Sequence, residues 1–99
     1  MASGDAVGAI ESVADDSACT LQPGAGIEWI IHNLFVPDGT AADGVDIAVV
    51  DATGSIMIAD GITSSMLQQN FHLSNMQWIT MTNRSGGSIL LGYDGIVVK

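Results

Sequence analysis

Few side chains in this 99-residue chain are able to do covalent chemistry. Nucleophilic catalysis needs a hydroxyl or thiol beside a base that a third group orients. The candidates are His32 or His72 as the base, Asp46 or Asp51 as the orienting acid, and one of many serines. No G-x-S-x-G elbow brings such a serine to a sharp turn, and Gly54-Ser55 lacks the flanking pattern. Both histidines therefore read as hydrogen-bonded strand or interface residues. The single Cys19 excludes an intramolecular disulfide and a cysteine-rich zinc site, and it reads as a small buried hydrophobe. The histidines lack H-x-x-x-H or H-x-H spacing, so no metal centre is expected from them.

Hard cations remain to be considered. Asp38-Gly39-Thr40-Ala41-Ala42-Asp43-Gly44-Val45-Asp46 offers carboxylate and carbonyl oxygens to calcium. It lacks the alternating ligands and distal glutamate of an EF-hand, and Asp-Gly turn chemistry explains the same residues. Asp15-Asp16 reads in the same way, as a solvated loop. With no phosphate-cradling glycine loop and no dinucleotide fingerprint either, the chain is expected to be no enzyme and to hold no cofactor.

Eleven acids against two bases give a net charge of −9, with only Arg84 and Lys99 positive. A run of phosphates needs cations opposite it, so neither nucleic acid nor an anionic membrane is expected as a partner. Arg84, the only arginine, is expected to pair with a carboxylate of its own or an adjacent subunit. The Met1-Ala2-Ser3-Gly4-Asp5 start has neither a basic n-region nor an apolar h-region, which predicts synthesis inside the cell without secretory export. Apolar runs are interrupted too often to form a spanning helix.

Those short Ile- and Val-rich runs, punctuated by Gly, Pro, Asn and Asp, read as strands. They are Ala6 to Val13, Ala18 to Gln22, Ile27 to Val36, Val45 to Asp51, Ser55 to Ala59, Gln69 to Ser74, Gln77 to Asn83 and Ser88 to Val98. The pattern predicts an all-β fold, a single antiparallel β-sandwich or jelly roll of about seven to nine short strands. It occupies residues 1–99 as one domain, with 1–5 as a flexible arm. Gly61 to Leu67 is the one stretch expected to form a helical turn. Thr82 to Ser88 reads as a hairpin loop, and Gly92-Tyr93-Asp94-Gly95 as a bulge or bend within the last strand.

Strict alternation through the third strand puts Ile27, Trp29, Ile31 and Phe35 on one face. Ile30, Leu34 and Val36 then share the other with Glu28 and His32. Both faces are largely apolar, as are Ile89-Leu90-Leu91 and Ile96-Val97-Val98, and a chain this short cannot hide every such face internally. Ile30, His32, Leu34, Ile89, Leu90 and Ile96 are therefore the candidate subunit-interface residues of a homo-oligomer.

Four segments carry a family resemblance: Ala2-Ser3-Gly4-Asp5, Leu21-Gln22-Pro23 leading into Glu28-Trp29-Ile30-Ile31-His32-Asn33-Leu34, Phe71-His72-Leu73-Ser74-Asn75, and Gly92-Tyr93-Asp94-Gly95-Ile96. Together they resemble the capsid decoration, or cement, proteins of tailed bacteriophages. That resemblance implies a small β-rich subunit, a homotrimer, that binds the major capsid protein on the virion exterior and reinforces the shell. It carries over no catalytic or ligand residue. A tail-fibre or head-fibre module shares the same composition. A carbohydrate- or receptor-binding β-module is the other alternative, with Trp29, Trp78 and Tyr93 as stacking faces. The charge balance yields a direct expectation: electrophoretic mobility-shift titration with duplex DNA at physiological salt detects no complex.

Overall fold

In a computed structural model, which describes residues 3–38, 40 and 44–99, the chain forms eight strands. They are β1 (Ala6–Val13), β2 (Ala18–Leu21), β3 (Glu28–Phe35), β4 (Val45–Asp51), β5 (Ser55–Ile62), β6 (Phe71–Ser74), β7 (Gln77–Asn83) and β8 (Ile89–Val97). Two antiparallel sheets result, ordered β1-β8-β3-β6 and β2-β7-β4-β5. This is the strand order of a jelly roll, in which two Greek keys interlock. Only β4 and β5 pair as sequence neighbours; every other connection crosses between sheets. The expected hairpin after Thr82 is accordingly a sheet-to-sheet crossing from β7 to β8.

The expected helical turn at Gly61 to Leu67 is also absent. Gly61 and Ile62 prolong β5, and Met66 then bridges to Leu34 through two backbone hydrogen bonds of 2.8 Å. Ser65 fixes the same crossing, its hydroxyl accepting from Val36 N at 2.9 Å and donating to Val36 O at 3.1 Å. Extended backbone wins here because β3 offers unpaired groups that a free helical turn would leave unused. Of the expected arm, Gly4 N donates to Val97 O and Asp5 O accepts from Val97 N, whereas Met1 and Ala2 lie outside the described residues.

The inner faces of the two sheets make one core. Ile31, Leu34, Leu73, Leu91 and Val97 from the first meet Cys19, Leu21, Val45, Ile47, Ile79 and Met81 from the second. Trp29 and Tyr93 stack on each other at its edge, with ring centroids 6.0 Å apart and planes inclined by 25°. A bulge decides which β3 residues enter this core. Ile31 pairs with Gly95 and Asn33 with Asp94, so His32 is the extra residue. Before it Trp29 and Ile31 point inward; beyond it Leu34 and Val36 do. Uninterrupted alternation fails at this point, and Phe35 faces outward in register with Gly92 and Ile10. The irregularity expected around Gly92 to Gly95 therefore resides in β3, opposite those glycines, while β8 runs unbroken beside β1.

Gly95 makes the bulge sterically feasible. A Cβ there would collide with the Ile30 carbonyl oxygen and stand 2.8 Å from Ile31 Cα, both backbone atoms that cannot step aside. Gly95→Ala is expected to lose about 3 kcal/mol of unfolding free energy, the upper range for overpacking. Gly54→Ala, where a Cβ meets nothing within 4 Å, is the control and is expected to stay within about 0.5 kcal/mol. Urea denaturation of both variants measures the difference.

Candidate functional site

The strand register fixes which side chains share the outer face of the β1-β8-β3-β6 sheet. One row across it is Ala6, Ile96, Ile30 and His72; the next is Gly8, Asp94 and Asn33; a third is Ile10, Gly92 and Phe35; Ser12 and Leu90 form the last. Ile10 is 68% exposed, Leu90 57%, and Ile96 and Val98 36% each, which is high for large aliphatic side chains in ordered strands. Gly92 has no side chain to hold neighbours apart, and a groove of about 260 Å³ forms between Ile10, Phe35, Pro37 and Leu90. Among the described residues, no charged side chain lines it.

Two clusters of polar side chains on this face are internally paired. Asn33 Nδ2 donates to Asp94 Oδ1 at 2.6 Å, which keeps the carboxylate on the sheet surface. At the far end His72 Nε2 donates to Glu28 Oε1 at 2.7 Å, and Lys99 Nζ lies 3.5 Å from Glu28 Oε2. The His72 hydrogen bond, assisted by Lys99, holds the Glu28 carboxyl below its ordinary value.

Of the candidate interface residues, Ile30, His32, Leu90 and Ile96 are at least partly exposed. Leu34 is a correction: the bulge turns it into the core, with no exposed surface to offer a neighbour. Ile89 is half-buried and packs against the core from the inner side. Sequence reading missed Ile10 and Phe35, both of which line the groove. On the outward row of β1 Ile10 stands among the small and polar Ala6, Gly8 and Ser12, and Phe35 changes sides because of a bulge that alternation does not reveal.

Four of the eleven acids gather at one site. Asp15, Asp16, Asp46 and Asp60 surround Arg84 in an open pocket of about 430 Å³. Arg84 Nη1 donates to Asp16 Oδ1 at 3.1 Å, and its Nε lies 3.5 Å from Asp46 Oδ2, so the expected intramolecular pairing is found. Asp46 also accepts from Gly61 N at 3.1 Å, and Asp15 from Gly86 N at 3.0 Å. A hydrogen bond with Asp46, and then its negative charge, raise the Asp60 carboxyl above the usual aspartate range. Beneath the pocket lies Asn83, which has no exposed surface. Its Nδ2 donates to Val13 O at 2.9 Å and Gly87 O at 2.7 Å, and its Oδ1 accepts from Ser85 N at 2.9 Å. One amide thereby ties β1, β7 and the crossing to β8 together.

Among the described residues, no three His, Cys, Asp or Glu side chains converge as metal ligands. Gly39, Ala41, Ala42 and Asp43 of the calcium-candidate loop lie outside those residues. Burial, helped by the Glu11 carboxyl, pushes the Cys19 thiol up to about 12, far from any nucleophilic range. Of the candidate stacking aromatics, Trp29 and Tyr93 stack on each other, and Trp78 is half-buried on the outer face of the second sheet.

The lowered Glu28 carboxyl fixes the sign of a pH effect. Its pairing contributes stability that is fully present above the unfolded value of 4.5 and is lost as pH falls through the lower folded value. Melting temperatures taken from about pH 6 to about pH 3 are expected to show the wild type losing its advantage over Glu28→Gln as the medium becomes acidic.

No family model matches the chain, and no curated protein sequence does either. Among solved structures it is similar to the Drosophila NLP-core, a protein that forms pentamers and binds histones. The TM-score is 0.53 at 15% sequence identity, covering 93% of this chain and 98% of that one. A likeness at that identity is one of fold.

Proposed function

We propose that this chain is a virion structural protein, a decoration protein that assembles as a homotrimer on the outside of a tailed-phage capsid and reinforces the shell. The observation that carries the reading is the outer face of the β1-β8-β3-β6 sheet, where Ile10, Leu90 and Ile96 stand exposed, with Val98 just beyond β8. Apolar area of this kind marks a contact surface more than a solvent-facing one. The acids collected around Arg84 suit the opposite requirement, an exterior that stays soluble and does not adhere to packaged DNA. In this reading the role is mechanical, with the major capsid protein as partner and no enzymatic step, cofactor, nucleic acid or membrane. A fibre module on the same virion would use the same surface.

A second reading has its own support. The net charge of −9, the acidic end of the sandwich and the similarity in fold to the histone-binding NLP-core favour an acidic carrier of basic proteins. The two readings differ in what they bind and how salt acts. A decoration protein held by apolar contacts co-sediments with expanded capsids and stays bound at ~0.3 M salt, whereas a carrier binds core histones and releases them as salt screens the charges. Co-sedimentation with capsids of the host phage, run beside histone pull-down across a salt series, is expected to show the first pattern. Absence of capsid binding together with salt-sensitive histone binding would reverse the assignment.

A further inference from the structure

Asp46 of β4 stands opposite two residues of β5. Val45 pairs with Ile62 and Ile47 with Ala59, so Asp60 and Gly61 together face the single residue between them, which makes a β-bulge. Gly61 takes a φ of +63° there, a conformation that glycine adopts without steric cost. Its N–H donates to the Asp46 side chain, with N to Oδ1 at 3.1 Å. The exposed Asp60 carboxyl hydrogen-bonds with the same Asp46 group. One carboxylate therefore touches both the amide nitrogen and the carboxyl of a single Asp-Gly pair.

We propose that Asp60-Gly61 is a site of spontaneous backbone modification, where the chain closes a succinimide and reopens it as isoaspartate while Asp46 moves the protons. In the closing step the Gly61 nitrogen bonds to Asp60 Cγ, and the bond from Cγ to its hydroxyl oxygen breaks. Asp46 takes the amide proton and returns a proton to the departing hydroxyl, so one water leaves and no co-reactant is needed. In the opening step water adds to either ring carbonyl. Addition at Cγ restores aspartate, whereas addition at the former main-chain carbonyl leaves isoaspartate, with the chain running on through Cβ and Cγ.

Three features favour this pair. The distance from Gly61 N to Asp46 is within the reach required of a general base. The protonated carboxyl is the better electrophile, since it expels water and not oxide, and the hydrogen bond and charge of Asp46 raise the Asp60 carboxyl toward that form. Strand β5 is also an edge, with a paired neighbour on one side only. Asp94-Gly95, the other Asp-Gly pair with both residues described, differs in each respect. Asn33 Nδ2 holds Asp94 Oδ1 at 2.6 Å, and Gly95 lies between Val7 of β1 and Ile31 of β3, where ring closure would push paired strands apart.

The test ages the purified full chain, folded or unfolded in urea. Electron-transfer fragmentation locates isoaspartate, and the intact mass reports the succinimide as the loss of one water. The folded protein is expected to gain isoaspartate at position 60 at least ~10-fold faster than the unfolded chain, and faster at about pH 5 than at about pH 8. Asp46→Asn, its fold checked by circular dichroism, is expected to slow the reaction by about 10-fold or more. A folded rate at Asp60 no higher than the unfolded rate, more product at Asp94 than at Asp60, or a folded Asp46→Asn protein that ages like the wild type would each overturn the proposal. The comparison of folded with unfolded wild type decides the matter even where Asp46→Asn fails to fold, and capsid or histone binding has no part in it.

Discussion

Backbone meets backbone where Gly95 of β8 lies against Ile30 and Ile31 of β3, and the arrangement of the first sheet depends on that approach. Because no side chain intervenes, β3 accommodates His32 as an extra residue and rotates its remaining length by one position. Trp29 and Ile31 fill the core at one end and Leu34 and Val36 at the other, so a strand with apolar residues on both sides buries its largest ones from each half. The surplus, Ile30 and Phe35, is displaced outward beside Ile96 and Ile10. Core and exposed apolar face are thus two results of one steric constraint.

The crossing connections impose a second condition. In a jelly roll nearly every loop joins different sheets, so the ends of the sandwich must be fastened without hairpins. Asn83 meets this need at one end by bonding to Val13, Ser85 and Gly87, and Arg84 adds bonds to Asp16 and Asp46 above it. A buried amide with its groups satisfied is stabilising and specific, whereas the half-exposed arginine adds little free energy and chiefly offsets the repulsion of the surrounding acids. The Asp60 carboxyl is raised first by its hydrogen bond with Asp46 and then by the charge of Asp46.

The same chain is strongly acidic and strongly apolar, and the fold separates the two properties in space. Asp15 and Asp16 of the β1–β2 turn, Asp46 of β4 and Asp60 near the end of β5 collect around Arg84, while the outer face of the first sheet and the β5 edge hold the exposed aliphatic side chains. Cys19 is buried in the core, and His72 is engaged with Glu28.

Local sequence determined the strands themselves. Val45 to Asp51, Gln77 to Asn83 and Ala6 to Val13 are legible to the residue, because Ile and Val alternating between Gly and Asp punctuation leave few other conformations open. The all-β class follows from the same pattern, and so does the pairing of a lone arginine in an acidic chain. The helical turn at Gly61 to Leu67 was misread because its partner, Leu34, lies far away in sequence. Leu34 was misplaced, and Ile10 and Phe35 missed, because a bulge inverts side-chain direction without any local signature beyond a glycine on the opposite strand. Which faces an element shows is a property of pairing between distant segments. Tertiary structure alone decided that, since the clash that selects Gly95 exists only once β8 lies beside β3.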